Sequence, residues 1–243
     1  MAVVLLLGST SDMARALARQ LAQDGHELIL AARNEDALQK DASDLKVRYE
    51  TEAHTILVEA TAIDTHEEWV NSLPRLPDWV ICAIGWMTEQ EEAEKNWNLA
   101  HSMIQANYSG PASLLHHLAN RFEKRGSGTI VGISSVAGDR GRASNYYYGS
   151  AKAGFTAFLS GLRNRLSGSG VHVLTIKPGF VDTKMTSGLD LPPLLTASPD
   201  RVAKDILRGV HKQKNIVYTK KVWGWIMLLI RHIPETLFKR LSI

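Results

Sequence analysis

Short apolar runs alternate along the chain with segments whose apolar residues recur at helical spacing. The runs are "AVVLLL" (2–7), "ELILA" (27–31), "TILV" (55–58), "WVICAI" (79–84), "TIVGI" (129–133) and "VHVLTI" (171–176). Their hydrophobicity is continuous rather than alternating, as strands of a parallel sheet covered on both faces require. Periodic stretches lie between them at 12–24, 34–46, 92–106, 110–124 and 148–166. Gly25 closes the first, and glycine ends helices readily. This rhythm predicts an α/β fold with a doubly wound parallel sheet. Neither a Gly/Ser-rich or Pro-rich linker nor a repeat divides it, so a single domain over 1–243 is expected. Such sheets bind ligands beyond the carboxyl ends of their strands. Chemistry should therefore sit just after the strands.

Composition narrows the class. Hydrophobic content of 44% and charged content of 22% fit a globular protein with a sizeable core. The one cysteine, Cys82, excludes an internal disulfide framework. His116 and His117 are adjacent, so on a helix they cannot share a metal, and no metal site is expected. "MAVVLLLG" lacks the basic start of a signal peptide and is too short for an apolar targeting core. No run approaches the ~18 apolar residues of a membrane span. A cytoplasmic protein is the expectation, with no nucleic acid among its partners. Net charge is +3 but uneven: residues 201–243 carry ten Lys/Arg against Asp205 and Glu235, leaving −5 for residues 1–200. A basic tail on an acidic body suits an anionic partner, and equally a solvated surface.

Three stretches carry candidate chemistry. After the first run comes "LLGSTSDMARALA", where Gly8 allows a tight turn. Ser9, Thr10 and Ser11, with the helix N-terminus that follows, can hold phosphate. Asp12 and Ala14 stand where further glycines are usual in such loops. Asp12 suits a helix dipole but would repel a pyrophosphate, so it should point away or cap the helix. The second run ends "LILAARNEDAL", with Ala32 and Arg33 where the ribose is met. An acid there suits the 2′-hydroxyl of NAD and an arginine the 2′-phosphate of NADP, so NADP(H) is favoured over NAD(H). The alternative is an ordinary solvated arginine. In "NYYYGSAK", residues four apart share a helix face, so Tyr148 and Lys152 project together while Tyr146 and Tyr147 point elsewhere. An ammonium beside a phenol favours the phenolate, lowering a pKa that starts near ~10. Such a phenol can pass a proton near neutral pH.

With these pieces the chain resembles the short-chain dehydrogenase/reductase family over nearly its whole length. The family's Y-x-x-x-K pattern falls on Tyr148 and Lys152, and "GISSVAG" supplies its serine, with the thirteen-residue interval selecting Ser135 over Ser134. Its helix asparagine matches Asn107 in "QANYSGPASLL", and its "PG-x-V-x-T" segment appears as Pro178, Gly179, Val181 and Thr183. The resemblance implies a single Rossmann domain in which Tyr148 is the general acid/base. Lys152 would lower its pKa and hold the nicotinamide ribose, Ser135 would bond the carbonyl oxygen, and Asn107 would support a water relay to Lys152. It further implies cofactor contacts at Gly8, Ser9, Thr10, Ser11, Asp12, Met13, Arg33, Asn34, Glu59, Ala60, Ala83, Gly85, Tyr148, Lys152 and the "PG" segment. Two motifs depart. The usual "NNAG" is "CAIG" (82–85), which keeps only Gly85, and the adenine-side acid is replaced or shifted, with Glu59 nearest. The family's divergent enoyl reductases place the tyrosine seven residues before the lysine, which here is Asn145, so that variant does not fit.

The resemblance implies a homodimer or homotetramer that interconverts a ketone and a secondary alcohol. A non-catalytic NADP(H)-binding regulator and a docking partner on the same fold are the alternatives. A full Ser–Tyr–Lys–Asn set argues for the enzyme, since a sensor needs no proton donor. Residues 184–198 are expected to form a substrate lid. The tail, 220–243, places nine uncharged residues, Val222 to Ile230, between Lys220–Lys221 and Arg231. As a helix this run is roughly 14 Å long, too short to span a bilayer but long enough to rest in its interface. Pro234 then starts a short basic helix. The tail and "GSTSD" resemble those of family members that reduce keto-sugars carried on polyprenyl phosphate. Arg140 and Arg142 add positive charge beside the site. These features suggest an anionic, lipid-linked keto substrate met at the cytoplasmic membrane face. A tail that seals a subunit interface or covers the pocket is the competing expectation.

Overall fold

The computed structural model describes residues 1–188 and 190–241. Leu189 of the expected lid and Ser242 and Ile243 of the tail lie outside the described residues. Seven strands form one sheet: β1 (Val3–Leu7), β2 (Glu27–Ala32), β3 (Ala53–Leu57), β4 (Trp79–Cys82), β5 (Gly128–Ile133), β6 (Val171–Pro178) and β7 (Ile216–Thr219). All are parallel, in the order β3-β2-β1-β4-β5-β6-β7. The order reverses between β1 and β4, and this is where a doubly wound sheet opens a crevice. The sheet and the helices on its two faces make a single α/β domain.

Residues of β1 alternate between two cores. Val4 and Leu6 join the layer under α1 (Asp12–Gln23) and α8 (Pro199–His211). Val3, Leu5 and Leu7 join the layer under α6 (Gly110–Arg125) and α7 (Tyr146–Leu166). Every residue of β1 is buried, which accounts for its unbroken hydrophobic run. The remaining helices are α2 (Glu35–Tyr49), α3 (His66–Asn71), α4 (Gln90–Lys95), α5 (Trp97–Ile104), α9 (Val222–His232) and α10 (Glu235–Phe238).

Several boundaries differ from the sequence reading. The stretch 92–106 is two helices, because Asn96 turns extended and its Oδ1 accepts from the Asn98 amide at 3.0 Å to start α5. A π-helical turn, Gln105–Ser109, then widens the chain before Pro111 opens α6. Helix α7 begins at Tyr146, so all three tyrosines lie on it. Strand β7 and helix α8 add to the elements read from sequence; β7 is a four-residue edge strand whose short apolar run is flanked by lysines and asparagine.

Candidate active site

Gly8 leaves β1 at φ +76°, and a Cβ there would lie 2.9 Å from the Ile84 nitrogen. Only glycine adopts that backbone freely and lets the loops after β1 and β4 meet. Ser11 then caps α1, its Oγ accepting from the Ala14 amide at 3.3 Å. Asp12 turns away, accepting through Oδ2 from the Lys184 amide at 2.8 Å, as its charge led us to expect.

A cavity of about 670 Å³ opens at this end of the sheet. Gly8, Thr10 and Ser11 line it from the first loop, Arg33 and Asn34 from the second, Glu59 and Ala60 from the third, Ala83 and Gly85 from the fourth. Asn34 also caps α2, its Oδ1 accepting from the Ala37 amide at 2.8 Å. Arg33 stands 3.9 Å from the Glu59 carboxylate and is largely exposed. Burial works against the Glu59 charge, but the Thr61 amide and hydroxyl, with Arg33 and His66, hold its carboxyl below the usual range. Three expected contacts of the first loop are elsewhere, Asp12 among them. Ser9 is buried beside a smaller cavity with Arg15 and Asp41, its Oγ without a partner among the described residues. Met13 packs against the core. The sequence reading missed the apolar wall at Val58, Ile84, Trp86 and Leu99, together with Ser102. Ile84 and Trp86 flank Gly85, so the departure of "CAIG" from the usual motif was their one signal.

Two of the four expected catalytic residues, Asn107 and Lys152, meet beside Gly85. A Cβ on Gly85 would lie 3.1 Å from Asn107 Oδ1 and 3.4 Å from Lys152 Nζ. Asn107, fully buried in the π turn, donates through Nδ2 to the carbonyls of Trp86 (2.5 Å) and Met103 (2.9 Å). Its Oδ1 accepts from the Trp86 amide at 3.3 Å. Both amide hydrogens are thus committed. Asn107 pins the β4 loop to the wide turn.

Ser134 and Ser135 separate cleanly. Ser134 Oγ donates to the Lys152 carbonyl at 3.0 Å and lies 2.7 Å from Thr156 Oγ1, stapling β5 to α7. Ser135 Oγ accepts from the Ala137 amide at 3.1 Å and reaches the Tyr148 phenol. Burial pushes that phenol up to about 12, with Ser135 pulling weakly the other way. Lys152 Nζ donates to the Ile133 carbonyl at 3.2 Å and sits 5.7 Å from the Tyr148 ring centre. Burial brings Lys152 down to about 8. The expected depression of the phenol by the ammonium is therefore absent: desolvation disfavours both charges.

At the end of β6, Pro178 and Gly179 lead into Val181, which is buried and bridged to Ala197. Thr183 and Thr186 form a capping box there. A Cβ on Gly179 would lie 2.0 Å from the Trp223 ring, so glycine is what admits α9 to this segment. Trp223 Nε1 donates to the Leu195 carbonyl at 3.0 Å.

A glycine-only approach of two loops, a hydroxyl-lined first turn and a cavity across the sheet crevice fit a dinucleotide. Comparisons with known proteins agree on the class. The profile of the family described as short chain dehydrogenase matches residues 2–192. An uncharacterized oxidoreductase of Mycobacterium tuberculosis is 35% identical over 243 residues, covering 99% of this chain and 97% of that one. Sulfoacetaldehyde reductase 2 of Chromohalobacter salexigens is 30% identical, covering 84% and 80%. The solved short-chain dehydrogenase from Sphingobium yanoikuyae in complex with NADPH aligns with a TM-score of 0.83 at 23% identity, covering 97% of each chain. The chain belongs to the short-chain dehydrogenase family and is an oxidoreductase.

Proposed function

We propose that the protein interconverts a ketone and a secondary alcohol by hydride transfer with NADP(H), using Tyr148 as general acid/base. The approach of Lys152 to Gly85 on the cavity wall, with Tyr148 beside it on the same helix and Ser135 near the phenol, supports this reading. NADP(H), when bound, supplies or accepts the hydride. A phenol held protonated is the form that ketone reduction needs, since Tyr148 Oη must give its proton to the substrate oxygen as negative charge develops there. The Ser135 hydroxyl donates to that same oxygen. Lys152, ionising near the working pH, holds the ribose and supports the proton's replacement, and Asn107 keeps the β4 loop in place. Gly8, Thr10 and Ser11 would face the pyrophosphate, and Arg33 the 2′-phosphate. The NADPH complex of the Sphingobium yanoikuyae structure supports that choice of cofactor.

The substrate we assign is an anionic, amphiphilic ketone such as a keto-sugar on a lipid phosphate, met at the cytoplasmic membrane face. The name of the relative from Chromohalobacter salexigens points to a carbonyl compound that carries an anion. Segment 184–198 acts as the lid, and the enzyme assembles as a homodimer or homotetramer. The test follows NADPH oxidation by the full chain across neutral and anionic ketones. Tyr148→Phe should lower turnover by about 10² to 10⁴, and Tyr147→Phe by far less. Arg33→Ala should weaken NADPH more than NADH, by about 1.5 to 3 kcal/mol. Equal losses in the two tyrosine variants would defeat the assignment of the acid.

A further inference from the structure

We propose that Arg142 binds an oxyanion of the carbonyl substrate, a carboxylate, sulfonate or phosphate. The proposal rests on the carbonyl oxidoreductase reading and adds one subsite to it. Two arginines lie in the loop between Ser135 and Tyr148, and the structure gives them opposite fates. Arg140 is fully engaged by the tail. Its Nη1 donates to the Ile230 and Ile233 carbonyls, each at 2.6 Å, and its Nη2 to Glu235 at 2.8 Å. Its guanidinium also stacks 3.6 Å from the centre of the Phe238 ring. That charge is spent inside the protein.

Among the described residues Arg142 is its converse. Its side chain forms no hydrogen bond or ion pair, and its Nε is buried without an acceptor. Asn145 Oδ1, three residues on, is likewise buried without a donor. The Asn145 amide donates to the Arg142 carbonyl at 3.2 Å, so both orphans belong to one turn that leads straight into α7 and Tyr148. The acids near this loop are already taken: Asp139 by Lys177 and Tyr218, Glu235 by Arg140. Burial alone acts on the guanidinium and pulls it below its ordinary range, with no neighbouring carboxylate to restore it.

Arg142 is partly buried, and a guanidinium N–H that is buried without an acceptor is costly, more so than a neutral one. A ligand oxyanion removes that cost, and the planar guanidinium suits it in a paired geometry that an ammonium lacks. Asn145 Oδ1 would accept from a hydroxyl of the same ligand. The anionic group would thereby be read by a residue of the loop that also carries the catalytic serine.

The test compares matched ketones: acetoacetate, acetonylphosphonate and acetonesulfonate against neutral 2-pentanone, with the full chain and NADPH. Arg142→Gln should lower the ratio of kcat/KM for charged over neutral ketone by about 10- to 100-fold, chiefly through KM. Arg142→Lys should recover part of it. An unchanged ratio would overturn the proposal and make Arg142 structural. Binding is read separately, by tryptophan fluorescence with propanesulfonate and propylphosphonate, which cannot be reduced. Wild type should bind at least one of them about 10-fold more tightly than Arg142→Gln. Equal affinity, or no binding by wild type, also overturns the subsite. A binding difference with no NADPH oxidation on any ketone would refute the catalytic reading and leave the anion site standing.

Discussion

Tyr148 and Lys152 stand four residues apart on one helix face, yet their surroundings matter more than their mutual charge. Lys152 is buried and Tyr148 partly so, and water-poor surroundings raise the phenol to about 12 and lower the lysine to about 8. One of the three Lys152 ammonium donors goes to the Ile133 carbonyl. Lys152 is therefore the group that changes charge near neutrality: cationic below about 8, neutral above it. Ketone reduction should be level at lower pH and fall about tenfold per pH unit once the ammonium is lost, while Tyr148 stays protonated throughout. The kcat/KM profile checks this. Lys152→Met should be slow at every pH and lack the limb; a limb at the same pH in that variant would assign it to another group.

At the scale of elements, α7 is the platform. Its lower stripe, Phe155, Leu159, Leu162 and Leu166, is buried in the core and fixes the azimuth at which Tyr148 and Lys152 emerge. Gly132 of β5 lets Leu159 come close, since a Cβ there would lie 2.3 Å from Leu159 Cδ1. The serine loop is tied separately. Asp139 is ion-paired with Lys177 of β6, both side chains nearly fully buried, and accepts from the Tyr218 hydroxyl of β7 at 2.7 Å. Asp139→Asn leaves the lysine charge buried without its counter-ion and should cost about 3–5 kcal/mol in denaturant unfolding. The triple variant Asp139→Leu, Lys177→Met, Tyr218→Phe should regain most of that, since no polar group is then stranded. A loss under about 1 kcal/mol for Asp139→Asn would mean that water reaches the pair.

For the whole molecule the question is the tail. Among the described residues no helix is long and apolar enough to cross a membrane. Helix α9 buries Trp223 and Met227 against Val136 and Phe180, while Trp225 and Leu229 are 70% and 72% exposed. Lys220, meanwhile, donates to the Pro193 and Leu194 carbonyls. The inner face therefore closes the "PG" segment, Lys220 holds residues 193 and 194, and the outer face is exposed. Cutting the tail off would uncover Val136, Gly179 and Phe180, so the membrane reading calls for surface substitutions. Trp225→Ser with Leu229→Ser should reduce co-sedimentation with anionic liposomes about 10- to 100-fold, while NADPH binding persists. Added salt should weaken the wild-type interaction. No sedimentation of the intact chain would remove the membrane from the proposal.

The alternation of apolar runs and helical periods determined the α/β class, because full burial of a strand demands apolar residues on both its faces. Six strands and the place of chemistry after them were legible for that reason. The Tyr148–Lys152 pair was legible because four-residue spacing is local geometry. Asp12 turned from the first loop could be read from its charge. The ionisation of the pair was not legible, since desolvation depends on what Cys82 and Ile133 bring around it from separate elements. The division between Arg140 and Arg142 was equally out of reach. Two residues apart in one loop, they carry the same charge, and only the folded tail decides which of them finds acceptors. Pattern along a chain reports what each element must bury; which polar groups are left with partners is settled by elements distant in sequence, and only once they have packed.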